Sequence, residues 1–265
     1  GKKSGKKLRW NKGVAVAKTK VSIREPLVIE VFVASDVDDS VKEIIEQSLN
    51  LAADEWGLYW PVEYWVVGLD KQAAENLAID FCQRREDRGD QTFDECFRRQ
   101  GPGGDYLMWY YAQSENVMAT GELKGATGRN GSAEWGVHWY ASTLPWGLTD
   151  LFPGMNAESD VETVFHEYWH AVQASHISTL DWDARHELMG PLWFVEGTAI
   201  FMAHFLAEKV RIDGRMPDVR RDWPYTYESA MTDYLERTKR HMTGPCAERL
   251  LVSIIEYGDK CNPLG

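Results

Sequence analysis

The 265-residue chain has no run of about 18 or more apolar residues, so no transmembrane helix is expected. It has no internal repeat, and no low-complexity segment beyond a Lys-rich N-terminus. Cysteine is scarce: there are four, and none forms a C-x-x-C pair, which removes the usual signature of a cysteine-built structural metal site. Positive charge is also short. Against 41 acidic residues there are 29 Lys and Arg, for a formal net charge of −12. Residues 1–12 contain six of the basic residues and no acid, so the rest of the chain carries −18. Such a body repels phosphates, and no nucleic-acid partner is expected. At 44% hydrophobic and 26% charged, the composition is that of a globular chain long enough for one large domain or two small lobes.

The cysteines, Cys82, Cys96, Cys246 and Cys261, fall into two locally spaced pairs. Three connectivities are open, and locality favours Cys82–Cys96 and Cys246–Cys261; four free thiols in a cytosolic protein is the alternative. The disulfide reading implies an oxidising compartment, hence a secreted or extracytoplasmic protein whose signal peptide is not in this chain. Asn130-Gly131-Ser132 matches a glycosylation acceptor, and Asn-Gly serves equally well as a hairpin turn.

What the chain does have is His166-Glu167-Tyr-Trp-His170. Two histidines four apart lie on one face of an α-helix, one turn from each other, so both imidazoles can address one metal ion. Glu167 flanks the same place and can act as a base toward water there. Ser159 with Glu162 three residues on reads as a capping box. Val161, Val164, Phe165, Tyr168 and Val172 then recur at helical spacing and give the helix an apolar side. A His-Glu-His group on a helix embedded in apolar sequence is costly without a partner, and a metal is the simplest one.

A catalytic zinc site takes three protein ligands and an open position. Two residues qualify as the third. His176 has the spacing of HExxHxxGxxH, but Gln173 stands where that pattern has the Gly that turns the chain. The helix is then expected to continue and carry His176 away. Glu196 lies in Pro191-Leu-Trp-Phe-Val-Glu-Gly-Thr-Ala199, where Pro191 suits a first helical turn and the surroundings are strongly apolar.

HEYWHAVQ followed by PLWFVEGTA resembles the gluzincin metallopeptidases, which include the thermolysin and M1 aminopeptidase relatives and smaller peptidase-MA-like domains. The likeness is close over residues 161–203 and holds only in outline elsewhere. It implies zinc held by His166, His170 and Glu196. It implies an α+β, thermolysin-like catalytic domain with a mixed-sheet upper lobe, a helical lower lobe and the metal in the cleft between them. Two departures stand out. Twenty-five residues separate His170 from Glu196, so the connection around Ser178–Met189 is longer than in the aminopeptidase pattern. Ile200 stands where thermolysin-type sequences place an Asp that orients a zinc histidine, so another acceptor must hold the imidazoles.

Along the chain, residues 1–20 read as a basic, disordered tail and 21–265 as a single zincin-like domain, with 21–158 carrying the sheet and 159–265 helical. Leu27–Ala34 and Val62–Val67 read as strands, and Asp38–Trp56 and Gln72–Arg85 as helices. Arg88–Gly104 reads as a loop pinned by Cys96, and Tyr106–Ala112 as an aromatic strand. Asn116–Ala126 and Ala133–Ser142 flank the Asn-Gly turn as a hairpin. Helices are expected at Pro191–Lys209, Tyr227–Thr238 and Ala247–Tyr257.

The resemblance implies amide-bond hydrolysis with Glu167 as general base and with a Tyr or His from the helical lobe as oxyanion donor. Tyr225, Tyr227, Tyr234 and His241 lie in the right region; Tyr227 is preferred because Tyr-Glu-Ser-Ala-x-x-x-Tyr-Leu resembles the helix after the ligand Glu in peptidase-MA-like domains. A peptide or protein substrate would add to an edge strand, with Gly136–Ser142 or its hairpin partner in that role. His138, His186 and His204 are read as structural, and the twelve tryptophans as mainly core. No aminopeptidase-type G-x-M-E-N segment is present, which favours an endopeptidase. The competing function is a silent peptidase-like domain that binds peptide or protein, against which the retained Glu167 argues. A structural zinc site would need a fourth protein ligand, and two His with one Glu would also accept iron or cobalt.

Overall fold

The computed structural model describes residues 26–120, 127–129, 135–142, 160–177, 179, 181–217 and 226–243. The basic tail, the expected helix Ala247–Tyr257, and Cys246 and Cys261 lie outside the described residues. Helix and strand are mixed. The strands fall between residues 29 and 142, and every described element from residue 160 onward is helical.

Strand β1 (Ile29–Val33) is followed by α1 (Asp39–Trp56). Asp38 caps that helix by accepting from the Ser40 amide at 2.8 Å, and Val41, Ile44, Ile45, Leu49 and Ala52 form its buried stripe. Gly57, at φ 89°, ends it in a conformation that side chains resist. Strand β2 (Val62–Val66) is buried on both faces, as a central parallel strand requires. Next come α2 (Lys71–Asp87), α3 (Phe93–Gln100) and α4 (Leu107–Thr120), then β3 (Thr127–Arg129) and β4 (His138–Ser142). The four strands form one sheet in the order β1-β2-β4-β3. β1, β2 and β4 run parallel, with Val62 opposite both Ile29 and His138, and β3 is antiparallel to β4. The parallel pairs need crossovers, which α1 and the α2–α4 group supply.

Glu63, the second residue of β2, is fully buried and ringed by arginines: Arg85 at 2.5 Å, Arg84 at 3.0 Å, and Arg88. Burial pushes its carboxyl up, but Arg85 and Arg84 outweigh that and hold it below the usual carboxylate range. A disulfide joins Cys82 on α2 to Cys96 on α3, the local pairing expected from spacing.

Five expectations need correction. Tyr106–Ala112 is not a strand but the start of α4, because Leu107, Tyr110, Tyr111 and Ser114 are buried at i, i+3, i+4 and i+7. Asn116–Thr120 ends the same helix, so the expected hairpin is reduced to Thr127–Arg129 against Tyr140–Ser142. Arg88–Gly104 is not all loop: Thr92 and Glu95 form a capping box that starts α3. The stretch from Ser178 to Met189 likewise contains a helix, α5 being the motif helix (Asp160–Ser175) and α6 (Trp182–Met189) being capped by Asp181. Finally, β4 is interior, so Gly136–Ser142 is not an edge; among the described residues that place belongs to its partner β3.

Helices α7 (Leu192–Ile212) and α8 (Tyr227–Thr243) complete the described chain. α5 packs chiefly on α7 and α1 and also meets β3.

Candidate metal centre

The motif helix is fixed first by its apolar side. Val161, Val164, Phe165, Tyr168 and Val172 are all buried, the set that the 3.6-residue period singles out. Each such side chain contributes about 1.5–3 kcal/mol on burial. Trp56 at the end of α1 packs on Phe165, Tyr168 and Trp169, with ring centroids 6.5, 6.3 and 5.1 Å away. The Tyr168 hydroxyl donates to the Gly57 carbonyl at 2.8 Å, which ties α5 to the turn entering β2. Ser159 lies outside the described residues, and one carboxylate oxygen of Glu162 meets His204 on α7 rather than serving only as a cap.

With that side buried, His166 and His170 face α7. Their Nε2 atoms are 3.1 Å apart, and Oε2 of Glu196 is 3.3 Å from the first and 3.4 Å from the second. His166, His170 and Glu196 are the group of potential metal ligands found among the described residues. Three donor atoms at these separations match the edges of a tetrahedron with arms of about 2 Å, the zinc–nitrogen and zinc–oxygen distance. Burial pushes the Glu196 carboxyl up, but the hydrogen bonds and charges of His166 and His170 prevail and hold it far below the ordinary range. It is therefore an anionic donor at neutral pH.

Gln173 supplies the acceptor that sequence reading left unnamed. Its Nε2 donates to the Val195 carbonyl at 2.9 Å and to Thr198 Oγ1 at 2.8 Å. Because a carbonyl only accepts, the amide nitrogen must face α7, and the amide oxygen then faces His170 Nδ1 at 2.8 Å. With a metal bound at Nε2, this acceptor takes the Nδ1 proton, the arrangement a ligating histidine needs. The signal was present in the spacing, since residue 173 follows His170 by one turn; it was read only as a missing Gly.

Glu167 is buried in the same turn. His176 is exposed just past the end of α5, 5.0 Å from the Tyr59 ring, and takes no part. Tyr227 is not brought to the ligands either. Its ring packs on Phe201 and Phe205, at 5.7 and 6.4 Å. Those residues lie about 140° and 180° around α7 from Glu196 at 100° per residue. Tyr225 and the His241 side chain lie outside the described residues. Trp193, three residues before Glu196, is half exposed rather than core, and His138 is buried against Trp60.

No helix among the described residues is long and apolar enough to cross a membrane. No family model matches the chain, and no curated protein or solved structure matches it.

Proposed function

We propose that the protein is a zinc-dependent peptidase of the gluzincin type, with a thermolysin-like catalytic domain, acting as an endopeptidase on peptide or protein substrates. The observation that carries this reading is the convergence of His166, His170 and Glu196, from two helices, on one point beside Glu167. Two imidazoles and one carboxylate are the donor set of a hydrolytic zinc site. Zinc bound there supplies Lewis acidity, acidifying water and polarising a carbonyl. Glu167 accepts the proton of the attacking water and delivers it to the leaving amine. Gln173 keeps the His170 ring turned so that Nε2 stays available. The oxyanion donor is left unassigned, since Tyr227 packs on the opposite face of α7.

Support for a peptide substrate comes from the sheet. β3 is one of its two edges among the described residues, runs antiparallel to β4, and meets α5, the helix that carries both histidines. An extended peptide can add to this edge, beside the helix that carries both histidines, and hydrogen-bond through its backbone. The test is the metal content and peptide-cleaving activity of the wild type and of Glu167→Gln. One zinc per chain in both, with cleavage in the wild type alone, is the expected result; cleavage surviving in the variant overturns the role of Glu167.

A further inference from the structure

The contacts between α5 and α7 pair residues whose numbers fall along one helix as they rise along the other. Gln173 meets Val195 and Thr198, Trp169 meets Thr198, His166 and His170 meet Glu196, and Glu162 meets His204. The two helices therefore run antiparallel, and the three ligands sit between two polar contacts. Gln173 is the contact at one end.

At the other end Glu162 lies one turn before His166, on the stripe that carries both histidines. Its Oε1 is 2.7 Å from His204 Nδ1, and the two side chains are only 5% and 11% exposed. The other nitrogen of His204, Nε2, is 3.5 Å from the Tyr234 hydroxyl on α8. A buried carboxylate–imidazole pair adds little net stability over an apolar pair of the same shape. What it does add is direction. The fully buried α7 side chains between and beyond these contacts, Ala199, Ala203, Leu206, Ala207 and Val210, are apolar. The hydrophobic driving force is non-directional and sets the rotation and axial position of α7 less sharply than a hydrogen bond does. A 2.7 Å charge-assisted bond fixes both, eight residues or about 12 Å of helix from Glu196.

We propose that Glu162 and His204, steadied by Tyr234, are positioning residues for the metal centre: with Gln173 they bracket the ligands and hold Glu196 in register with His166 and His170. This rests on the metal reading of the three ligands, and it gives a role to a histidine that sequence reading treated as structural.

The test compares zinc dissociation constants, by competition with a chromophoric chelator, for the wild type, His204→Leu, Glu162→Gln and Leu206→Ala. Leu206→Ala removes buried apolar packing from α7 without touching a polar contact, and the thermal midpoint of each metal-free protein is recorded alongside. The expected result is zinc bound at least about tenfold more weakly by His204→Leu, the range seen when groups supporting metal ligands are lost. Glu162→Gln, which keeps an acceptor oxygen, falls between His204→Leu and wild type, and Leu206→Ala lowers the midpoint while its dissociation constant stays within about twofold of wild type. If His204→Leu fails to fold, weakening in Glu162→Gln without weakening in Leu206→Ala carries the same conclusion. Equal affinities in all four proteins, or weakening that simply follows the loss of midpoint, overturn the positioning role and leave the metal centre standing. A wild type that binds no zinc overturns both.

Discussion

Glu167 and Gln173 sit six residues apart on α5 with separate tasks, and substitutions should separate them. Glu167 holds no ligand position, so Glu167→Gln is expected to retain zinc and lose about 10²- to 10⁴-fold in cleavage rate, as removal of a general base does. A fluorogenic-peptide assay on the zinc-loaded variant checks this. Gln173→Ala removes the acceptor at His170 Nδ1 and two bonds to α7. It is expected to weaken zinc binding by about 10- to 100-fold, measured by chelator competition; unchanged affinity would mean the bond at Nδ1 does not select the tautomer. At this scale the three side chains that converge, His166, His170 and Glu196, were conspicuous in the sequence. Histidines four apart on an apolar-sided helix, and a lone Glu in an apolar run, are chemically conspicuous. Supporting residues are not: Glu162 and His204 acquire their meaning from each other, 42 residues apart, and Gln173 acts on His170 only when held by α7, 22 residues on.

Among elements, α1, α2, α5, α7 and β2 were legible from period and caps, since each buries one continuous stripe or, for β2, both faces. Tyr106–Ala112 was misread because a short aromatic run suits a strand or a helix equally well, and the deciding residue, Ser114, is polar yet buried, with its hydroxyl bonded to the Tyr110 carbonyl. α3 was missed because it is only eight residues long, too short to show a helical period, and is held by its capping box and by the Cys82–Cys96 bridge. That bridge closes a loop with a sequence separation of 14. Replacing both cysteines with Ser is expected to cost about 3 kcal/mol through the freed unfolded chain, read from the midpoint and slope of urea unfolding. A loss below about 1 kcal/mol would show that α3 is held without it.

For the molecule as a whole, the division into a sheet-bearing first part and a helical second part was readable from the order of elements. The strand order was not, because pairing depends on crossovers rather than on local pattern. The sheet is anchored at Glu63, whose carboxyl Arg85 and Arg84 hold below its ordinary value of 4.5. A carboxyl depressed in the folded state contributes stability that is complete above the unfolded value and is lost as pH falls through the folded one. Glu63→Gln is therefore expected to cost about 3–5 kcal/mol near pH 7, the usual result of breaking a buried ion pair. The difference from wild type should stay level above about pH 5 and shrink below it. Urea unfolding across that range checks the sign, and a difference independent of pH would mean the carboxyl titrates alike in the folded and unfolded chains.

The claim on which the rest depends is that α5 and α7 together build one metal centre. It is tested most directly by measuring zinc stoichiometry and affinity in the wild type and in Glu196→Ala. One tightly held zinc per wild-type chain, bound at least about 100-fold more weakly once Glu196 is gone, is the predicted result. Equal binding by both proteins, or no zinc in either, would contradict it.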